Sequence, residues 1–93
     1  MPRPEKPIQP GGPVADFALA LRALRDAAGR PSYAVMARLA YSSQAVLSEA
    51  AAGRSLPTWE ATRAYVRACG GDESDWRARW EAARCPETER NPS

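Results

Sequence analysis

Histidine is absent from this chain, and lysine occurs once, at Lys6. The two cysteines, Cys69 and Cys85, form no C-x-x-C pair. Zinc needs several thiolate or imidazole ligands at short spacing, so no metal site is expected. There is no glycine-rich phosphate loop and no nucleophile beside a visible base. The chain is therefore not read as an enzyme, and no catalytic residue, cofactor or small-molecule substrate is expected. No apolar run is long enough to cross a bilayer and no signal-peptide pattern opens the sequence. A cytoplasmic protein with no membrane partner is expected. No segment alternates as a strand would, and there are no internal repeats.

What remains is alanine, arginine and proline. At 93 residues the chain is one small domain with few long aliphatic side chains. Its helices must pack closely over alanines around a thin core. Thirteen basic residues against eleven acidic ones leave a net charge of +2. Such a mild excess points only weakly to nucleic acid, so position and not total charge must carry the case. The cysteines read as two reduced thiols with Cys69 half-buried; a disulfide between the ends of neighbouring helices is the alternative.

Residues 1–13 hold five prolines and a Gly-Gly pair. They read as a disordered arm, either a passive tail or one whose Arg3 and Lys6 enter a groove of DNA. A first helix is expected from Val14 to Ala28, with Pro13 in its first turn, Asp16 near its positive end and Gly29 closing it. Val14, Phe17, Ala18, Leu21, Leu24 and Ala28 form its apolar face. After the loop Ala52 to Pro57, Thr58 can cap a helix from Trp59 to Cys69. Its buried candidates are Ala61, Tyr65, Ala68 and Cys69, with Val66 at the edge. Gly70-Gly71 ends it. The run Asp72-Glu73-Ser74-Asp75 opens a last helix to Arg84, as negative charge at a helix N-terminus or, less simply, as a carboxylate cluster for a metal. Trp76 and Trp80 share one face of that helix. They either cover the open side of the bundle or supply a homodimer surface. Residues 86–93 read as a disordered tail.

The stretch between, Ser32 to Gly53, organises the rest. Ser32 can cap a short helix with Met36, Ala37 and Ala40 inward. A turn follows at Ala40-Tyr41-Ser42. Ser42 or Ser43 can cap a second short helix, about 43–51, with Val46, Leu47, Ala50 and Ala51 inward. Two helices this short cannot bury their own apolar faces, so other helices must support them.

In Ser32, Met36-Ala37, Ser43, Leu47-Ser48 and the closing Ala51-Ala52-Gly53-Arg54 with Leu56-Pro57, the chain resembles the lambda-repressor-like (Xre/Cro-type) helix-turn-helix family, in a form common in high-GC bacteria. The resemblance covers roughly Phe17 to Arg84. It implies an all-α, compact five-helix domain over 14–85 between two disordered tails. One position departs: the turn usually holds Gly, and here it is Tyr41. A Tyr with positive φ is strained, so the turn is expected to differ in detail.

The resemblance also implies a double-stranded DNA partner and a role in transcription regulation. The second short helix would enter the major groove, with Ser43, Gln44, Ala45, Ser48 and Glu49 towards base edges. Gln44 suits adenine and Ala45 a thymine methyl. Ser48 can donate or accept. Glu49 can accept from a cytosine amine or hold a neighbouring arginine. Phosphates would be met by Arg30, Ser32, Tyr33 and Arg54, with Arg22, Arg25 and Arg38 as outer contacts. The reading helix carries no Lys or Arg, and Glu49 faces where DNA would lie. That leaves a second possibility, a protein-interaction module that keeps the fold, as the N-terminal part of a larger signalling protein.

Overall fold

The computed structural model describes residues 11–84. These form five helices: α1 Pro13–Ala27, α2 Tyr33–Ala40, α3 Gln44–Ala50, α4 Trp59–Ala68 and α5 Glu73–Arg84. Among the described residues there is no strand. The expected arm and tail lie outside the described residues, apart from 11–13, as does Cys85 and with it the proposed disulfide.

Local chemistry sets the helix ends. The hydroxyls of Ser32, Ser43 and Thr58 accept from the amides of Val35, Val46 and Ala61 at 3.2, 3.1 and 3.1 Å. Each fills one orphan donor of a helix start. Pro13 occupies the first turn of α1, where its missing N–H costs nothing. Asp72 caps α5 by accepting from Ser74 and Asp75, so the acidic run serves its helix start. Gly29, at φ 93°, closes α1: the Arg30 amide reaches back to the Arg25 carbonyl at 2.8 Å.

Packing makes α4 the hub, since it touches each of the other four helices. Burial differs from the expectation on two helices. Thr62 and Val66 are buried beside Tyr65, whereas Ala61 and Ala68 are only half-buried; Cys69 is half-buried, as read from the sequence. A helix surrounded on several sides buries a broader arc than one apolar stripe suggests. Thr62 satisfies its hydroxyl locally by donating to the Thr58 carbonyl at 3.0 Å, which lets a polar residue sit in the core. On α1, Ala28 is exposed, because the helix has already ended; Phe17, Ala18 and Leu21 are its buried residues.

Trp76 and Trp80 are core residues. Trp76 meets Phe17 edge-to-face at 5.7 Å. Trp80 lies 5.9 Å from Trp59 and donates its indole N–H to the Pro57 carbonyl at 2.8 Å. The rings that were to supply a homodimer surface are thus buried within the chain. Cys69 is half-buried, and burial pushes its thiol pKa up despite the opposing field of Arg25. It therefore stays a protonated packing residue at neutral pH.

Tyr41 ends α2 in the left-handed region, at φ 53° and ψ 48°. The expected adjustment of the turn does not occur: tyrosine takes the glycine conformation, and the Ser42 amide still closes the helix on the Ala37 carbonyl at 3.0 Å. Its ring is 97% exposed, so packing does not compensate the strain. Tyr41→Gly is expected to raise stability by about 1 kcal/mol, which thermal unfolding would read as a Tm higher by about 4–8 °C.

Candidate nucleic-acid interface

The outward edge of α3 is built from the inside. Leu47, Ala50 and Ala51 are fully buried and fix which way the helix faces. Val46 does not join them. It is 42% exposed and lines a groove between α3 and α4 with Tyr41, Ala61 and Ala64. With the inner face so narrow, Ser43, Gln44, Ala45, Ser48 and Glu49 are all exposed. The Ser43 hydroxyl accepts from Val46 as the cap of α3, which leaves its O–H to donate. Gln44 and Ser48 are four apart and share one edge, and Ala45 and Glu49 share the next.

A shallow cleft joins this edge to α2. It is lined by Ala34, Val35, Ala37, Arg38, Ser42, Ser43 and Gln44. Arg38 is exposed there and has no ion-pair partner among the described residues. The N-terminus of α2 adds the exposed Ser32, whose oxygen accepts from Val35. Tyr33 is half-buried: its ring packs edge-to-face on Tyr65 at 6.2 Å, with the two hydroxyls 3.5 Å apart.

The arginines divide by what they touch. Arg22 and Arg25, expected as outer contacts, each donate from Nε to a backbone carbonyl. Arg22 holds Ala51 at 2.8 Å, and Arg25 holds Pro31 at 2.7 Å while stacking 4.5 Å above the Tyr33 ring. Arg22 thereby ties α1 to the C-terminal end of α3, where a cation also suits the helix dipole. Both guanidiniums are held by backbone carbonyls, and sequence could not show it because those carbonyls carry no side-chain signature. Arg30 pairs with Asp26 through Nε at 2.8 Å and has φ 57°.

Glu49 and Arg54 meet. Arg54 donates from Nη2 to Oε1 at 2.7 Å and from Nε to Oε2 at 3.2 Å. Of the two roles open to Glu49, the structure shows it holding the arginine. The hydrogen bond from Arg54 lowers the Glu49 carboxyl pKa, and the same contact raises that of Arg54. The two charges cancel at the edge of the reading surface.

A family model described as a helix-turn-helix domain matches residues 16–80, which spans α2, the turn and α3 with most of their supporting helices. Neither the curated proteins nor the solved structures yield a match.

Proposed function

Since this chain belongs to the helix-turn-helix domain family, we propose that it binds double-stranded DNA sequence-specifically as a cytoplasmic transcriptional regulator of the lambda-repressor-like form. The observation that carries this reading is the solvent-open polar edge of α3, with Gln44, Ala45 and Ser48 exposed on a helix anchored by Leu47. A helix of this size fits the major groove, where Gln44 can bond adenine N6 and N7, Ala45 can meet a thymine methyl and Ser48 can take either polarity. The free amides of the α2 N-terminus and the Ser32 hydroxyl receive a phosphate. Tyr33 adds its hydroxyl at the same end, and Arg30, Arg38 and Arg54 supply the cations.

With no Lys or Arg on α3, a single copy binds modestly. Tight occupancy of a site calls for a second half-site or a tethered partner. Selection of bound fragments from a random duplex pool tests the reading. An enriched motif of a few adjacent base pairs is expected, and a pool that stays random after several rounds contradicts it.

A second reading, an interaction module on the same fold, is favoured by one observation. Leu39 is 61% exposed, and Tyr41, two residues on at the end of α2, is almost wholly so. Large exposed apolar groups of this kind suit a protein-contact surface. Absence of DNA binding at low salt would select this reading over the first.

A further inference from the structure

The Glu49–Arg54 pair is the one exposed pair among the described residues that is joined by two side-chain hydrogen bonds. Glu49 stands in the last turn of α3, whose first turn holds no acid and whose last turn holds no base. A carboxylate there opposes the helix dipole. It also places negative charge on the surface that would face phosphates. Locally it is a poor choice on both counts, and such conflicts tend to mark functional positions. Its one compensation is Arg54, gripped by both oxygens from just beyond the helix end. Asp26, also in the last turn of its helix, holds Arg30 through Nε alone and shares that turn with Arg25. Side chains of Arg54 and Glu49 are 75% and 52% exposed, so the pair is accessible to an incoming phosphate.

We propose that Glu49 is a positioning residue that keeps Arg54 out of random-sequence binding and yields it to a phosphate only when α3 is seated on its own site. This rests on the DNA-binding reading above and adds a source of specificity that touches no base. While the pair is closed, its net charge is zero and it releases no counterion from a loosely bound duplex. Arg38, which has no ion-pair partner among the described residues, then does the neutralising, which gives a slope of log K against log salt of about −0.9 on random duplex. In the seated complex the guanidinium exchanges one oxyanion for another. Arg38 and Arg54 then neutralise two phosphates, and the slope steepens to about −1.8.

The test is a cycle of Glu49→Gln, Arg54→Ala and the double variant. Each full-length chain is titrated with a short random-sequence duplex at several salt concentrations. Both positions are exposed, so the variants keep the fold. Glu49→Gln is expected to steepen the slope on random duplex by about 0.9, equivalent to about a 3.5-fold greater loss of affinity between 50 and 200 mM salt. The double variant should lose that increment. Arg54→Ala alone should leave the random-duplex slope where it stands in the parent. An unchanged slope in Glu49→Gln overturns the proposal. So does an increment that survives in the double variant, which would reduce Glu49 to a general repulsive charge. If neither parent nor variant binds at low salt, the DNA-binding reading falls and takes this one with it.

An NMR titration of the free protein gives a second readout without DNA. The Glu49 carboxyl should titrate below the ordinary carboxylate range in the parent and return to it in Arg54→Ala. Equal midpoints in the two would mean that the pair does not form in solution, and would overturn the proposal.

Discussion

Leu47→Ala is expected to remove about 2–5 kcal/mol of stability, the cost of the lost transfer free energy plus the cavity left behind. Leu47 is fully buried and is the one long aliphatic side chain on the inner face of α3, beside Ala50 and Ala51. A seven-residue helix has too few internal hydrogen bonds to stand by itself, so its existence depends on this contact. The alanines next to it are too small to move into the space. In a domain this small, 1 kcal/mol corresponds to about 4–8 °C in Tm, so the midpoint should fall by at least about 8 °C. Urea unfolding followed by the fluorescence of the buried Trp76 and Trp80 reads the loss. Val46→Ala, one residue away but partly exposed, should cost clearly less. Equal losses at the two positions would mean that α3 is turned differently from the description given above.

Gln44→Ala should leave the fold intact and change what is bound. Gln44 is the first helical residue of α3, directly after its Ser43 cap, and its side chain is exposed. Its exposed side chain makes no hydrogen bond among the described residues, so the unfolding midpoint should stay near that of the parent. On a selected duplex, loss of a bidentate amide–adenine pair costs about 1–3 kcal/mol, or about 5- to 150-fold in affinity. Random-sequence affinity should hardly move, because phosphate contacts carry it. Repeating the selection with the variant should relax the motif at one position. A uniform loss across all sequences would instead assign Gln44 to the backbone.

Much of the fold was legible because it is written in local bonds. Ser32, Ser43 and Thr58 cap helices through contacts three residues apart, and Pro13, Gly29 and Gly70 mark ends for reasons internal to a single turn. Leu47 and Met36 were legible as core because each falls at helical spacing with the alanines of its inner face, Ala50 and Ala51 for the one and Ala37 and Ala40 for the other.

What was illegible depends on which element lies opposite. Val66 and Thr62 are buried only because α4 is surrounded, and helical spacing cannot count neighbours. Val46 has the same period as Leu47 and Ala50, yet it faces a groove. Arg22 reaches a carbonyl 29 residues away, a partner that looks the same at every position of the sequence. Tyr41 was misjudged from the opposite direction. Its intrinsic preference argued against a left-handed turn, but the tertiary requirement at that joint prevailed over a strain of about 1–2 kcal/mol. Within the interface, sequence raised both roles of Glu49. Only the placement of Arg54 past the end of α3 shows the ion pair.

The central claim is that the polar edge of α3 and the cations around it meet a duplex. Its most direct test is the affinity of the parent chain for a short random-sequence duplex, followed by fluorescence anisotropy as salt is raised. Measurable binding at low salt, with log K falling against log salt at a slope of about −0.9, is the predicted result. No binding at low salt, or binding indifferent to salt, would contradict it.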